Sequence, residues 1–277
     1  MNSPNDIAKN YIPIGVAKTK YTIPRMLVLG ILAGMFIALS GVGATIAQAT
    51  LGNTSLASAG RLLGAAVFPV GLVMVVFTGS ELFTGNCLII IPVLQKEIKL
   101  RKMLKSWLIV YIGNFIGSLL IAAITVYGGT YSLFNGVAAA NAIFTAVTKV
   151  NLTFGSAVLR SILCNFLVCT AIWISYASKD AIGKIVALFL PVMLFVASGY
   201  EHSIANMYFI PAGLLASANP VYLETYTSLF GTEGLSSLTW CSMLTNNLIP
   251  TTIGNIIGGA FLVGFVCWFL YRGTDKQ

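Results

Sequence analysis

A motif that contains a carboxylate occurs twice in the chain, each time inside a long apolar stretch. The copies occupy residues 79–86 and 199–206, and both read Gly-x-Glu, four further residues and Asn. Charged side chains in such stretches are costly and are usually retained for a function. The second copy carries His202, the single histidine, where the first copy carries Leu82. Because histidine gains or loses a proton near neutral pH, His202 is a candidate for proton transfer.

The two carboxylates of the repeated motif, Glu81 and Glu201, allow two interpretations. Each could carry protons, as ionisable groups inside membranes often do. Each could instead accept hydrogen bonds from backbone amides at the start of a helix, where the helix dipole also favours a negative charge. We favour the second interpretation because both copies keep Glu and both lie beside a predicted helix break. Glu81 and Glu201 are therefore predicted to shape a site without contacting the substrate.

Composition places these motifs in a lipid bilayer. Hydrophobic residues make up 57% of the chain and charged residues 9%, which is outside the range of ordinary soluble domains. Stretches long enough to cross a bilayer are residues 25–48, 62–93, 104–127, 157–176, 185–215 and 248–270. The second and fifth stretches are too long for one straight helix, so we predict breaks at Gly79 and Gly85 in one and at Gly199 in the other. Irregular backbone at membrane depth must line a cavity or be buried in protein.

An internal duplication predicts how these six segments are arranged. Residues 112–118 resemble residues 253–259, in addition to the repeated Glu motif. Each half holds three segments, an odd number, so the halves enter the membrane in opposite orientations. The predicted fold is an all-α polytopic membrane protein made of two inverted three-helix repeats, residues 25–127 and 156–271. A substrate site is expected near the midplane, between the two broken helices.

Basic residues predict the orientation of the chain. Lys and Arg cluster before the first segment, in the loop at residues 95–105, in the fourth loop and at the C-terminus, whereas Arg61 and Lys149 lie on the other side. Both terminal segments, residues 1–24 and 272–277, should therefore be cytoplasmic in a plasma (inner) membrane protein. The N-terminal residues lack the apolar core of a signal peptide, so we predict no cleavage. The net charge of +8 is a topology signal and indicates no nucleic-acid surface.

Metal and redox chemistry are not indicated by the sequence. The five cysteines show no paired spacing, and the single histidine has no second histidine with which to bind a metal. We therefore predict neither a metal site nor a cofactor.

Neutral polar and apolar residues complete the predicted site. Thr84 lies in the first break and Asn165 in the fourth segment, where both could contact His202, although a buried Asn could equally bind a neighbouring helix. Lys149 could attract anions, or it could be a solvated loop residue. Residues that flank the breaks could form dry constrictions. They are Phe68, Leu72, Phe83 and Phe195.

Four sequence motifs resemble the signatures of the formate/nitrite transporter family, and the resemblance covers residues 20–271. It implies an aquaporin-like fold and a homopentamer with one pore in each subunit. It also implies transport of a small monovalent anion such as formate, nitrite, hydrosulfide or lactate, and the motifs do not separate these substrates. The matching segments are residues 80–86, 164–169, 198–207 and 246–255.

The resemblance also implies a role for each matched position. His202 corresponds to the central pore histidine of the family, with Asn165 and Thr84 around it. Lys149 corresponds to the lysine of the outer vestibule. The constriction residues correspond as an outer pair, Phe83 and Phe195, and an inner pair, Leu72 and Phe68.

Two mechanisms would take a small anion through a dry constriction, where removing water from a full charge is prohibitive. The anion could accept a proton shared with His202 and cross as the neutral acid. Alternatively, it could pass as the anion, with hydrogen bonds from His202, Asn165 and Thr84. An intramembrane enzyme that uses Glu201 and His202 would lack a nucleophile–base pair or a metal set. A neutral-solute pore of the aquaporin type would give His202 no special role. We predict a channel and not an enzyme.

Overall fold

The structure is a computed structural model that describes residues 1–272, and the chain is helical through most of that range. Of the predicted tail at residues 272–277, only Arg272 lies within the described part. The helices are α1 (Pro4–Lys18), α2 (Ile23–Gln48), α3 (Ala57–Thr78), α4 (Phe83–Leu94), α5 (Leu100–Tyr127), α6 (Val137–Val150), α7 (Phe154–Ser175), α8 (Ala181–Ala197), α9 (Ser203–Ser217), α10 (Pro220–Phe230) and α11 (Trp240–Tyr271).

Five of the described helices are long and apolar enough to cross a bilayer, namely α2, α3, α5, α7 and α11. Their outer faces carry large apolar side chains, such as Leu108 on α5, which is 62% exposed, and Leu159 on α7, which is 65% exposed. Faces of this kind suit lipid or a neighbouring subunit and not water. The chain is a multi-pass membrane protein.

Helices α2 and α5 approach each other closely because glycines line their contact. A Cβ at Gly34 would lie 2.2 Å from the carbonyl oxygen of Asn114, and one at Gly117 would lie 2.0 Å from that of Ile31. Small residues allow helices to pack at short range inside membranes. The contact fixes α5, and with it Asn114, against the first half of the fold.

The same contact recurs in the second half, between α7 and α11. A Cβ at Gly254 would lie 2.3 Å from the carbonyl oxygen of Val158, and one at Gly258 would lie 2.1 Å from that of Ile162. Helix α11 is wound as a π-helix over Met243–Leu248 and again over Ile257–Phe265. The repeated glycine pairs therefore serve close helix packing within one chain.

Irregular backbone separates α3 from α4 and α8 from α9. Gly79 follows the end of α3 with a φ of +70°, and Gly199 follows α8 with a φ of +72°. Both angles lie in the left-handed region, which glycine adopts without the steric cost of a Cβ. Gly85 was also predicted to contribute to the first break, and this is wrong: it lies in the first turn of α4.

Helix α1 packs against the membrane helices and is not a loose terminal segment. Ser3 and Asp6 form a capping box at its start, and hydrogen bonds from the Ser3 side chain and backbone lower the pKa of Asp6. Its buried face includes Tyr11, whose ring packs edge-on against that of Tyr176 with the ring centroids 5.8 Å apart. This packing brings Lys18, at the end of α1, to the first break.

Helix α6 lies in a region for which the sequence indicated only a link between repeats. It begins after Gly136, and its alanine-rich face packs against α9, where Gly213 leaves room for Ala146. Lys149 lies in the last turn of α6 and is only partly exposed, so it is not a solvated loop residue.

Candidate functional site between two cavities

Two cavities meet the helix breaks. The first, about 490 Å³ in volume, is called the Lys149 cavity here and includes Arg61, Phe68, Lys149, Arg160, Phe195 and His202 in its lining. The second, about 360 Å³, is called the Lys18 cavity and includes Tyr11, Lys18, Leu72, Glu81, Leu82 and Asn86 in its lining.

The two cavities come close together along α3. Phe68 lines the Lys149 cavity and Leu72 lines the Lys18 cavity. Residues four apart on a helix are separated by about 6 Å along its axis. Both side chains are only 3% exposed. Buried side chains over about one helical turn therefore divide the two cavities, and we call this region the seam.

His202 lines the Lys149 cavity, and it contacts Thr84, which lies between Leu82 and Gly85 of the Lys18 cavity lining. His202 therefore lies at the seam and connects the two breaks. It caps the N-terminus of α9, where the Ala205 backbone N–H donates to His202 Nδ1 at 3.0 Å. The other ring nitrogen, Nε2, lies 2.9 Å from Oγ1 of Thr84 in the first turn of α4. Because Nδ1 accepts a hydrogen bond, the proton of a neutral ring is assigned to Nε2, which donates to Thr84. The Phe195 ring stacks on the imidazole of His202 with the ring centroids 5.9 Å apart.

Asn165 is near this pair but faces the protein. Its Nδ2 donates to the carbonyl oxygen of Thr84 at 3.2 Å and to that of Asn255 at 2.7 Å. The side chain is fully buried, and its hydrogen bonds within the described residues are to Thr84, Asn255 and Cys169 and not to His202. Cys169 Sγ also donates to the Thr84 carbonyl, at 3.3 Å. Of the two interpretations given for Asn165, the structure favours the one in which it binds neighbouring helices and holds Thr84 in place.

The aromatic residues are grouped differently from the predicted constriction pairs. Phe68 and Phe195 both line the Lys149 cavity, with ring centroids 5.9 Å apart. Phe83 lines neither cavity. Its ring packs edge-on against those of Trp107 and Tyr111, with centroid separations of 5.7 Å and 5.0 Å. The predicted pairing of Phe83 with Phe195 is therefore corrected to a pairing of Phe68 with Phe195.

The apolar residue that accompanies Leu72 is Leu82 and not Phe68. Both leucines line the Lys18 cavity, and each is 3% exposed. The sequence did contain a signal for Leu82, because it occupies the position of His202 in the first copy of the motif. The duplication therefore places an imidazole on one side of the seam and an isobutyl group on the other.

Glu201 forms an ion pair with Lys149 in the lining of the Lys149 cavity. Lys149 Nζ donates to both carboxylate oxygens, at 2.9 Å and 3.0 Å. The Nδ2 atoms of Asn206 and Asn247 donate to Oε2 at 2.6 Å and 3.4 Å. The two charged side chains are 14% and 6% exposed, so the pair is largely removed from water.

Glu81 forms an equivalent ion pair in the Lys18 cavity. Lys18 Nζ donates to Glu81 Oε1 at 2.9 Å and to Asn86 Oδ1 at 3.0 Å, and Asn86 Nδ2 donates to Glu81 Oε2 at 2.7 Å. No sequence pattern indicates Lys18, because its distance along the chain from the first motif hides the contact. Each break therefore carries one Lys, one Glu and the Asn that ends the motif.

The backbone amides at the breaks are bound by asparagines and not by the glutamates. The Phe83 N–H donates to Asn114 Oδ1 at 3.0 Å, and Asn114 Nδ2 donates to the carbonyl oxygen of Glu81 at 2.9 Å. The predicted partners of the Glu81 carboxylate were these backbone amides, and that prediction is wrong. Lysine and asparagine side chains occupy its oxygens instead.

Asn255 repeats the role of Asn114 in the second break. It accepts from the Ser203 N–H at 2.9 Å, and its Nδ2 donates to the Glu201 carbonyl at 3.1 Å. The corresponding prediction for the Glu201 carboxylate is therefore also wrong. The repeat of Gly-Asn at residues 113–114 and 254–255 was the available signal.

The arrangement favours passage of a small polar solute over bond-making chemistry. In the part of the chain that the structure describes, no three His, Cys, Asp or Glu side chains lie close enough to hold one metal ion. The polar groups at the seam are a ring N–H and a hydroxyl, which can exchange hydrogen bonds with a solute. The fold and this site define a membrane transport protein.

Comparison with known proteins identifies the family. The model for the formate/nitrite transporter matches residues 5–269, and the chain belongs to the formate/nitrite transporter family. It is 40% identical over 278 residues to the formate channel FocA of Escherichia coli (strain K12), covering 99% of this chain and 96% of that protein. The relatives are channels and transporters, so the protein is not an enzyme.

Two solved structures resemble the fold closely. A pentameric formate channel with formate bound matches with a TM-score of 0.78 and 32% identity, covering 90% of this chain and 97% of that one. An ion channel of the same family matches with a TM-score of 0.75 and 26% identity, covering 96% and 98% of the two chains.

Proposed function

We propose that this protein is a homopentameric channel of the plasma (inner) membrane that passes formate through one pore in each subunit. The similarity to a formate channel and to a pentameric channel with formate bound supports both the substrate and the assembly. Nitrite and hydrosulfide remain competing substrates, to be tested directly. Each pore joins the Lys149 cavity to the Lys18 cavity through the seam.

The proposed architecture is two inverted repeats with six crossings, at residues 25–127 and 156–271. Helices α8 and α9 hold 17 and 15 residues, so neither reaches across about 30 Å of hydrocarbon alone. Together, joined at the break that contains Gly199, they complete one crossing, and α3 with α4 forms the equivalent one. The matching roles of Asn114 and Asn255 support this duplication. Basic residues at both ends and in the loop at residues 95–105 favour cytoplasmic termini.

The observation that carries the proposal is the hydrogen bond between His202 Nε2 and Thr84 Oγ1, which lies where the two cavities approach each other. A carboxylic acid can insert into such a bond. Its carbonyl oxygen would accept from the imidazole N–H, and its O–H would donate to the threonine oxygen. The seam thus offers one donor and one acceptor to a solute that has one of each.

We infer that the substrate crosses the seam as the neutral acid. A bare anion would lose its water between buried apolar side chains such as Phe68 and Leu72, whereas the neutral acid avoids most of that cost. Desolvation itself favours protonation of the anion in the cavity. Asn206 Oδ1, which lacks a hydrogen-bond partner among the described residues, could accept the O–H of the acid or of a water.

His202 is proposed to act as a hydrogen-bonding group and not as a stored proton source. A second proton would have to sit on Nδ1, which already accepts from the Ala205 N–H. Placing two N–H groups face to face would break the cap of α9. The proton that accompanies formate therefore comes from water in the cavity, and neutral His202 orients the acid at the seam.

Reconstitution into proteoliposomes tests this function. Formate, nitrite, hydrosulfide, lactate and chloride should be compared, with the charge carried per molecule measured alongside flux. We expect formate to move fastest without net charge. Thr84→Val should lower formate flux about tenfold through loss of one buried hydrogen bond. Thr252→Val is a matched control, because Thr252 bonds Tyr111 and lines neither cavity.

The outcomes separate the competing functions. Absence of formate flux in the wild type, with hydrosulfide moving freely, would replace the proposed substrate. Formate flux that carries one charge per molecule would replace the neutral-acid mechanism. Equal losses in Thr84→Val and Thr252→Val would show that the Thr84 hydroxyl matters only for packing.

A further inference from the structure

The cationic group expected to attract anions, Lys149, is already neutralised. Its Nζ donates to both oxygens of Glu201, and the two side chains are largely buried. A close ion pair behaves as a dipole, so its field in the cavity falls off more steeply than that of a free charge. Lys149 therefore contributes little long-range attraction to a substrate in solution.

Two further cations line the same cavity and are exposed. Arg61 stands on α3 and Arg160 on α7, and both belong to the lining of the Lys149 cavity. Glu201 is the single carboxylate among the described residues of that lining, and Lys149 occupies it. Because both arginines are exposed, we place them at the mouth of the cavity, where no carboxylate of the described lining offsets their charge.

The Arg61 guanidinium is fixed in position. Its Nε donates to the carbonyl oxygen of Ala197, the last residue of α8, at 2.9 Å. Its Nη2 occupies the space that a side chain at Gly199 would fill, 2.2 Å from the ideal Cβ position. The bond to Ala197 uses one of the five guanidinium N–H donors, and the others can bind an anion in the cavity.

The Lys18 cavity has no comparable pair. The charged residues of its described lining are Lys18 and Glu81, which are bonded to each other. Among the described residues, the first break also lacks a counterpart of Arg61, because none of them except the chain neighbours of Gly79 lies within 4 Å of its ideal Cβ position. The excess positive charge is therefore confined to one of the two cavities.

We propose that Arg61 and Arg160 form an anion-capture site at the mouth of the Lys149 cavity, which binds a monovalent carboxylate or related oxyanion before it reaches His202. This inference rests on the proposed function and adds a first binding step to it. The captured anion is held in water-accessible space, and it is protonated only as it moves inward. Clefts lined by one sign of charge raise the local concentration of the opposite ion.

The experiment measures initial rates of [¹³C]formate uptake into proteoliposomes at ionic strengths from 0.01 M to 0.5 M. The variants are Arg61→Gln, Arg160→Gln and the double substitution. Gln at position 61 can still donate to the Ala197 carbonyl while the charge is removed. Lys102→Gln is the matched control, since Lys102 is an exposed cation that lines neither cavity.

We expect the double variant to lose about tenfold in rate at low ionic strength, the lower end of the range for electrostatic focusing. The difference should shrink at high salt, where the screening length falls to a few Å. Arg61→Lys should retain most of the rate, and Lys102→Gln should match the wild type throughout.

Each adverse result has a separate meaning. Wild-type protein without formate flux would refute the proposed function itself. Normal wild-type flux, with the same rate and salt dependence in the double variant, would refute the capture site and leave Arg61 as a cap for α8. A loss of uptake rate in the double variant that is equal at all salt concentrations would also refute the capture site, because the effect of a structural defect is not screened by salt.

Discussion

Single residues show where sequence reasoning reached the site and where it failed. His202 and Thr84 were selected from the repeated motif, and the structure joins them by a 2.9 Å hydrogen bond. Lys18 was not selected, since its contact with Glu81 spans 63 positions of the chain. A motif names the residues that need partners, but packing between distant helices decides which side chains supply them.

His202→Asn should convert neutral formate flux into flux that carries charge. The amide oxygen can still cap α9, so the fold should survive. The smaller side chain leaves space at the seam that water can fill, which lowers the cost of a bare anion. The measurement is formate-driven current in proteoliposomes together with its pH dependence. Wild-type behaviour in the variant, electroneutral and equally dependent on pH, would mean that His202 only fills space.

Asn255→Ala should destabilise the protein by about 3 kcal/mol, because two buried backbone groups, the Ser203 N–H and the Glu201 carbonyl, lose their partner. Asn219→Ala removes the exposed cap of α10 and should cost about 1 kcal/mol. Thermal unfolding in detergent compares the two variants. Equal shifts in Tm would contradict the proposed role of Asn255 in holding the break.

At the scale of helices, long apolar stretches were easier to predict than amphipathic ones. Five long helices and the two glycine breaks follow from hydropathy and length. Helices α1 and α6 were not predicted, because their exposed faces dilute the apolar signal and their packing partners are remote in sequence. That omission also hid the sites of Lys18 and Lys149, which lie at the ends of these two helices.

The two break glycines should differ in their tolerance of alanine. A Cβ at Gly79 would meet no atom of the described residues within 4 Å beyond its chain neighbours, so Gly79→Ala should cost only the left-handed backbone, about 1–2 kcal/mol. Gly199→Ala carries the same backbone cost and also displaces the Arg61 guanidinium, so we expect a larger loss of stability. Thermal unfolding of the two variants measures the difference.

Gly199→Ala should also lower formate uptake at low ionic strength if Arg61 captures the anion, whereas Gly79→Ala should not. Identical unfolding temperatures and identical uptake in the two variants would contradict the close contact between Arg61 and Gly199.

At the scale of the whole molecule, the two halves share a framework, but the two cavities differ in charge. Each half holds an Asn that bonds the break backbone and a Lys–Glu pair beside it. The second half adds His202 at the seam, and Arg61 and Arg160 line only the Lys149 cavity. This asymmetry could not be derived from the duplicated motifs, because Arg61 and Arg160 lie outside them. It gives the proposed pore a capture side and a release side.

The proposed orientation can be tested with a native cysteine. Cys241, near the start of α11, is exposed, while Cys87, Cys164 and Cys169 are buried. If both termini are cytoplasmic, α11 begins outside the cell, so a membrane-impermeant maleimide should label intact cells at Cys241. Cys241→Ser should abolish that labelling.

In the Cys241→Ser background, Lys102→Cys should react only after the membrane is permeabilised. Labelling of Lys102→Cys in intact cells, together with no labelling of Cys241 in the wild type, would reverse the proposed orientation. The Lys149 cavity would then lie on the cytoplasmic side.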